Sequence, residues 1–279
     1  MVKIGINLAG LAPAAEARHA EDLGLDSMWA GDHLANDMPG LDCTLALAAA
    51  SAATTSLSLG MVMQLALRPA AWAAKQIGSL QTLSGNRIEL GVGVGGEWPD
   101  EWAAAGMSLS DRGRRTDAAL EALPGLLAGQ ATPTPDTGVT IRLLPAAPVP
   151  PVWIAGGSGR AQRRAAAHGT GWLPAMVTPK ELSAGLTSIA GRTDRQVQGG
   201  VQLFGALGTT TEALAHNLNK WYSLPADRAA RILLGGAPTQ IAERLAEFTD
   251  AGASHITVAT SGPNWQIQAE LLAEAKRLL

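Results

Sequence analysis

Cysteine is nearly absent from this sequence of 279 residues: Cys43 is the only one, so the chain cannot form an internal disulfide. Chains without disulfides are typical of a reducing compartment, and we expect a cytoplasmic location. Charge is sparse too, at 16% charged residues and a net charge of −3, which argues against a partner made of nucleic acid. No uncharged apolar run reaches the roughly 20 residues that a membrane-spanning helix needs, so we also expect no membrane partner.

Patterns that bind metals are missing as well. The five histidines show no spacing such as H-E-x-x-H, and a single cysteine excludes thiolate clusters, so the sequence predicts no metal site. What the chain does contain is apolar residues, at 47% of the total. That balance is typical of a globular protein with a large buried core.

Short aliphatic runs alternate with helical stretches rich in Ala, Glu and Leu. The runs are continuously apolar, as in parallel strands buried on both faces. Eight such units predict a closed (β/α)8 TIM barrel in one domain over residues 1–279, with a proline-rich insertion around 131–151; a doubly wound open sheet is the alternative. The predicted strands cover residues 2–8, 26–31, 56–65, 86–94, 152–157, 171–176, 197–207 and 254–260.

Two glycine-rich loops follow predicted strands, where a barrel of this kind carries its chemistry. Gly91, Gly93 and Gly96 satisfy G-x-G-x-x-G, but no helix begins at once and no acidic residue ends the next strand, so a dinucleotide site is disfavoured. Bare backbone at Gly93 instead suits a flat ring lying against it.

The second glycine loop, A-G-G-S-G-R over 155–160, ends a strand and opens a helix. Free N–H groups and the positive end of a helix dipole favour phosphate there. The predicted cofactor-binding residues are Gly156, Gly157, Ser158, Gly159 and Arg160. An ordinary serine-capped turn is the alternative.

Other candidates also lie at strand ends. Asn7 ends the first strand and faces the same rim, so it joins the cofactor-binding set. Aromatic walls suit a flat ring and an apolar substrate, although core packing explains tryptophan equally well. The tryptophans at or near strand ends, which we predict to line a substrate pocket, are Trp29, Trp98, Trp172 and Trp265.

Four stretches of the sequence, taken together and in order, resemble the bacterial luciferase-like superfamily of flavin- and deazaflavin-dependent oxidoreductases. They are AEDLGLDSMWAGDHL (20–34), the long segment 67–117 that contains NRIELGVGVGGEW, PPVWIAGGSGRAQRRAAAHGTGWLP (150–174) and GGAPTQIAERLAEFTDAGASHITVA (235–259). The resemblance implies a (β/α)8 barrel, in agreement with the unit count.

The resemblance also implies roles for individual positions. His33 stands where the family often carries a histidine facing the reactive ring. A bulge in the third strand, which backs that ring, maps near Val62, Met63 and Gln64. Glu97 lies near an acidic position that some deazaflavin members use as a proton donor, one residue out of register.

The chain is shorter than the luciferase subunits, which makes it more similar to the compact members that use the deazaflavin coenzyme F420. The resemblance therefore implies an enzyme that transfers a hydride between F420 and a small organic substrate. An FMN-dependent monooxygenase and a flavin-binding protein without turnover remain alternatives. The Ala-rich helices after the second and third strands are candidates for a homodimer contact.

Overall fold

A computed structural model describes residues 1–36, 39–261 and 264–279. Eight parallel strands close into a barrel, since the first pairs with the last through Lys3 and His255 and every other neighbour is parallel too. The predicted (β/α)8 barrel is therefore confirmed. In chain-order numbering the barrel strands are β1 (Lys3–Asn7), β2 (Ser27–Gly31), β3 (Ser58–Met63), β4 (Ile88–Val92), β7 (Val152–Ala155), β8 (Gly171–Leu173), β9 (Gln198–Leu207) and β11 (Ala253–Thr260).

Three short strands lie outside the ring. β5 (Thr132–Pro133) and β6 (Thr140–Ile141) form an antiparallel hairpin within the predicted insertion, and β10 (Leu234–Gly236) pairs with the end of β9. Helices surround the barrel; no helix in the described part of the chain is both long and apolar enough to cross a membrane. They are α1 (Pro13–Asp22), α2 (Cys43–Ala53), α3 (Ala70–Ser84), α4 (Pro99–Ala104), α5 (Arg112–Leu127), α6 (Gly159–His168), α7 (Pro179–Ala190), α8 (Glu212–Tyr222), α9 (Ala226–Ile232), α10 (Pro238–Asp250) and α11 (Trp265–Arg277).

Local sequence explains where these helices begin and end. Asp42 precedes α2 and caps its N-terminus, because its side chain accepts hydrogen bonds from the backbone N–H groups of Thr44 and Leu45. Gly85 ends α3 in the left-handed conformation at a φ of 66°. On the outer faces of α2 and α3, Leu45 and Trp72 are exposed, and the homodimer contact stays a prediction.

Large and small side chains alternate inside the barrel to form a packed plug. Trp29, Trp153 and Leu173 are buried together, and a Cβ on Gly60 would stand 2.1 Å from the Trp29 ring. Gly171 is equally constrained, since its Cβ would meet the Trp153 ring at 2.2 Å. Glycines on neighbouring strands thus make room for the two indoles, and the plug closes the lower half of the barrel.

A buried histidine lies within this plug. Ser27 Oγ stands 2.8 Å from His255 Nε2 and accepts a hydrogen bond from Trp29 Nε1 at 3.0 Å. The indole can only donate, whereas the Ser27 hydroxyl can accept from it and still donate its own hydrogen to a neutral imidazole. Burial, together with the positive charge of Lys3, lowers the pKa of His255 to about 4.

This histidine makes stability depend on pH. The folded protein holds His255 neutral, whereas the unfolded chain protonates it below about pH 6.5, so stability is complete above 6.5 and falls as the pH drops towards 4. A shift of that size corresponds to roughly 3 kcal/mol. We expect His255→Gln to flatten the unfolding free energy between pH 6.5 and 4, measured by urea denaturation. His216→Gln, which removes an exposed histidine of α8, is the control, and an unchanged slope in His255→Gln would contradict the assignment.

Candidate active site

Small residues are partly exposed inside the barrel at the carboxyl ends of the strands, and we call the recess bordered by Asn7, Val62 and Gly93 the bowl. Val62 packs on the tryptophan plug, and a Cβ on Gly93 would touch Val62 Cγ1 at 3.4 Å, so these two form a floor. Asn7 stands at the rim of this bowl, where its Oδ1 accepts a hydrogen bond from Thr257 at 2.7 Å. Trp265 Nε1 donates to the Asn7 carbonyl at 2.9 Å. Asn7, Val62 and Gly93 thus occupy the carboxyl ends of their strands, whereas the Trp265 ring packs against the core between barrel and helices, next to His19 of α1.

A histidine and a carboxylate meet at the edge of this bowl. His33 follows β2, is partly exposed, and places Nδ1 2.9 Å from Oε1 of Glu101 on α4. Glu101 is 1% exposed and also accepts from the backbone N–H of Leu34 at 3.4 Å. Because a carboxylate only accepts hydrogen bonds, Nδ1 of His33 is the donor, and the neutral form of the imidazole has its lone pair on Nε2. The pair can therefore take up or release a proton at Nε2.

An ion pair lies beneath His33 and fixes its loop. Asp32 is buried and accepts from Arg68 Nη2 at 2.7 Å and from the backbone N–H of Gln64 at 3.0 Å. Burial lowers the pKa of Arg68, but the Asp32 carboxylate outweighs it and raises that pKa above its ordinary value. Arg68 is therefore charged and paired, and the backbone that carries His33 is tied to the end of β3.

The third strand differs from the bulge that the resemblance implied. β3 pairs in continuous register with β2 through Val62 and with β4 through Met63, and a one-turn 3-10 helix over Leu65–Leu67 follows it. Since side chains alternate along a regular strand, Val62 faces the bowl while Met63 packs in the outer core against the helices. The prediction of a bulge at Val62 and Met63 is therefore wrong, and the Met63 side chain lies in the core and not in the bowl.

Gln64 follows Met63 and connects the His33 loop to the glycine-rich loop after β4. Its Nε2 donates to the Asp32 carbonyl at 2.9 Å, while Oε1 is buried without a hydrogen-bond partner. That oxygen lies against Gly95, where a Cβ would be only 2.0 Å away. Gly95 has a φ of 64°, which glycine adopts freely. Gln64 Oε1 is therefore a hydrogen-bond acceptor without a partner beside the glycine-rich loop.

Aromatic rings border His33. Trp98 is half-buried and meets the His33 ring edge to face with centroids 4.9 Å apart. Tyr222, the last residue of α8, makes a similar contact with Trp98 at 5.7 Å. Trp98 thus stands beside the opening as the sequence predicted, and it is joined by a residue that sequence reasoning missed.

The glycine loop after β7 is exposed along its whole length, at 156–160. Gly156 has a φ of 100°, and Ser158 caps α6 by accepting from the backbone N–H of Ala161 at 3.2 Å. Gly157, Gly159 and Arg160 leave the first turn of this ten-residue helix open to solvent. The serine-capped turn is observed, and a phosphate on its exposed N–H groups stays a prediction.

Two more predicted wall residues lie away from the opening. Trp29 is fully buried in the plug, and Trp172 is buried between β8 and α7, where its Nε1 donates to the Gly156 carbonyl at 2.8 Å. Both are core residues without an open face, so the predicted substrate-wall role has no support for them. Trp172 instead braces the glycine loop from below.

The carboxylate that meets His33 is Glu101, four residues beyond the predicted Glu97, which is exposed. The short helix α4 makes the difference, because it turns Glu101 inward. Pro99 followed by two acidic residues is a pattern of a helix N-terminus, and it was the signal available in the sequence. Tyr222 had no such signal, since only the path of the chain after β9 brings it here.

Comparisons with known proteins identify the family and the fold. A family model described as "Luciferase-like monooxygenase" matches residues 14–230. Uncharacterized proteins of Mycobacterium tuberculosis and Mycobacterium bovis are 36% identical over 152 residues, covering 52% of this chain and 51% of theirs. The chain thus spans about half the length of the curated relatives it matches.

Solved structures share the fold over almost the full chain. An F420-dependent secondary alcohol dehydrogenase in complex with an F420-acetone adduct has a TM-score of 0.83 at 16% identity, covering 98% of both chains. The F420-dependent tetrahydromethanopterin reductase of Methanopyrus kandleri has a TM-score of 0.73 at 16% identity, covering 98% and 97%. The monooxygenase RslO1 of Streptomyces bottropensis has a TM-score of 0.74 at 19% identity, covering 99% and 97%.

Proposed function

Since the chain belongs to the luciferase-like monooxygenase family, we propose that it is an oxidoreductase that transfers a hydride between coenzyme F420 and a small organic alcohol or ketone. The observation that carries the proposal is the hydrogen bond between His33 and the buried Glu101 at the rim of the bowl. The similar fold of an F420-dependent secondary alcohol dehydrogenase supports the choice of cofactor and reaction.

The residues present fit a deazaflavin or flavin. The open N-terminus of α6, with Gly156 at a φ of 100°, suits a phosphate, and the bowl above Val62 suits a flat ring. The unpaired Gln64 Oε1 suits an N–H donor, which both ring systems carry. Glycines 156, 157 and 159 with Ser158 and Arg160 would hold the phosphate, and Asn7, Val62, Gln64 and Gly93 would border the ring.

When bound, the deazaflavin supplies a two-electron acceptor for hydride, and its reduced form supplies the donor. In the oxidation of an alcohol, His33 Nε2 takes the hydroxyl proton as the carbinol C–H bond breaks and the C=O bond forms. Glu101 holds the imidazole through Nδ1 and stabilises the imidazolium cation. In the reverse direction His33 returns that proton to the carbonyl oxygen.

Cofactor titration tests the choice between F420 and FMN. We expect purified protein to bind F420, measured as quenching of tryptophan fluorescence, and to reduce it with a secondary alcohol. Binding of FMN alone, followed by oxygen-dependent turnover, would replace the proposal with a monooxygenase. Binding without turnover across a panel of alcohols and ketones would leave a flavin-binding protein.

A substitution in the glycine loop tests the phosphate site separately from catalysis. Gly157→Asp places a negative charge among the free N–H groups of α6, and the Cβ itself finds ordinary contact at 3.6 Å from Val177. We expect the Kd of the cofactor to rise at least about tenfold, since a like charge opposes phosphate. The matched control is Gly191→Asp, after α7 at the opposite end of the barrel. Equal Kd values for both variants would contradict the assignment of the cofactor phosphate to this loop.

A further inference from the structure

Three rings form a continuous line along one side of the opening, which we name the aromatic wall: His33, Trp98 and Tyr222. The centroids of His33 and Trp98 are 4.9 Å apart, and those of Trp98 and Tyr222 are 5.7 Å apart, with interplanar angles of 73° and 87°. All three side chains are half-buried, so each leaves part of its ring accessible. The aromatic wall therefore continues outward from the His33 ring, whose Nε2 is the proposed site of proton transfer.

The position of Tyr222 is set by the way α8 ends. Ser223 adopts a left-handed conformation at a φ of 52°, and its N–H donates to the Asn219 carbonyl at 2.9 Å. Asn219 Nδ2 in turn donates to the Leu224 carbonyl at 2.9 Å. This turn fixes the last residue of α8 above the opening, and Tyr222 packs on the small apolar core shared by α8 and α9.

The same layer is tied down on its other side. Arg228 of α9 donates to the Met176 carbonyl at 2.9 Å and pairs with Glu181 at 3.0 Å. The interaction with Arg228 lowers the pKa of Glu181 to about 2, so both partners are charged. The helices that carry Tyr222 are thus anchored to the loop after β8.

The charge that acts on Tyr222 is the negative charge of Glu97. Glu97 is exposed, and burial together with its negative charge raises the pKa of Tyr222 to about 12. Two arginines of neighbouring elements have partners of their own: Arg112 donates to the carbonyls of Gly95 and Leu109, and Arg228 pairs with Glu181. An anionic substrate would meet repulsion here, whereas a neutral apolar group meets ring faces and edges.

We infer that Tyr222 is a specificity-determining residue and that, with Trp98, it binds the flat apolar portion of an uncharged substrate. The substrate class is then secondary alcohols and ketones that carry an aryl or bulky alkyl group next to the reacting carbon. This inference rests on the proposed function only for the position of that carbon beside His33.

Calorimetric titration with two alcohols tests the inference without turnover. We expect 1-phenylethanol to bind the parent protein at least about tenfold more tightly than 2-propanol, because an aromatic contact adds to apolar burial. Tyr222→Leu removes the ring and should weaken 1-phenylethanol about tenfold while leaving 2-propanol within about twofold. Tyr222→Phe keeps the ring and should bind both alcohols like the parent. An analogue with a carboxylate on the phenyl ring should bind more weakly than 1-phenylethanol itself.

A neighbouring ring provides the matched control. Trp221→Leu removes an aromatic side chain from the same helix end that packs on the same apolar core, and it should leave the preference for 1-phenylethanol unchanged. Thermal unfolding of each variant shows that the helices remain folded, and Tyr222→Phe preserves a readout if Tyr222→Leu does not fold. The inference is overturned if Tyr222→Leu binds 1-phenylethanol as the parent does, or if Trp221→Leu loses the preference equally.

The outcomes separate the inference from the proposed function. Ring-dependent binding without F420-linked turnover would reject the function and leave the aromatic wall standing. F420-linked turnover with the same preference for 1-phenylethanol in the parent and in Tyr222→Leu would support the function and reject the role of the aromatic wall.

Discussion

Replacing His33 by Gln is expected to lower kcat for F420-linked alcohol oxidation by about 10²–10⁴-fold, with little change in the Kd of the cofactor. The imidazole is the group placed to move a proton at the edge of the bowl, and its Nδ1 already donates to Glu101 at 2.9 Å. Gln has no ring nitrogen that can both hold Glu101 and accept a proton. Steady-state kinetics and fluorescence titration on the same variant measure the two quantities.

The partner carboxylate gives this prediction a sharp control. Glu101→Gln should lower kcat with no increase in cofactor Kd, because it weakens the hold on the imidazole and the stabilisation of its charged form. Glu97→Gln removes an exposed carboxylate close by in the chain and should stay within about threefold of the parent. A kcat for His33→Gln near that of the parent, or a larger loss in Glu97→Gln than in Glu101→Gln, would reject the proposed proton path.

Replacing Asp32 by Asn is expected to cost about 3–5 kcal/mol of unfolding free energy. The substitution preserves volume but leaves the Arg68 guanidinium, 18% exposed, without its carboxylate. It also weakens the acceptor of the Gln64 backbone N–H at 3.0 Å. Urea denaturation at neutral pH measures the loss, and activity should fall with it because His33 follows Asp32 directly.

A double-mutant cycle separates the lost pair from general damage. Arg68→Met alone leaves a buried carboxylate and should also destabilise, whereas Asp32→Asn with Arg68→Met removes both charges and should lose less than the sum of the two single variants. Arg115, which pairs with Asp136 at 2.9 Å, offers a comparison at a half-buried ion pair outside the His33 loop. Additive losses in the cycle would show that the two side chains are not energetically coupled.

Local patterns were enough to predict the barrel and the glycine loop. The apolar runs around Ile4–Ile6 and Ile88–Val92 are buried strands because parallel strands need apolar side chains on both faces. The A-G-G-S-G-R segment is a strand end followed by a capped helix, and Ser158 does cap α6. Such features depend on neighbours in the chain, and the sequence displays them directly.

Contacts between distant segments were decided only by the tertiary structure. The choice of Glu101 over Glu97 depends on the short helix α4, and the regular course of β3 turns Met63 away from the bowl and Val62 towards it. Tyr222 reaches Trp98 across 124 positions of sequence (222 minus 98) because α8 ends above the barrel.

The sequence by itself therefore determined the barrel, the order of its strands and the glycine loop, because hydrophobic periodicity and capping act over a few residues. Only the tertiary structure decided which acid meets His33, which tryptophans are core and which ring completes the wall. A side chain's role at a barrel mouth depends on which face of its element is turned inward, and packing against other elements sets that rotation.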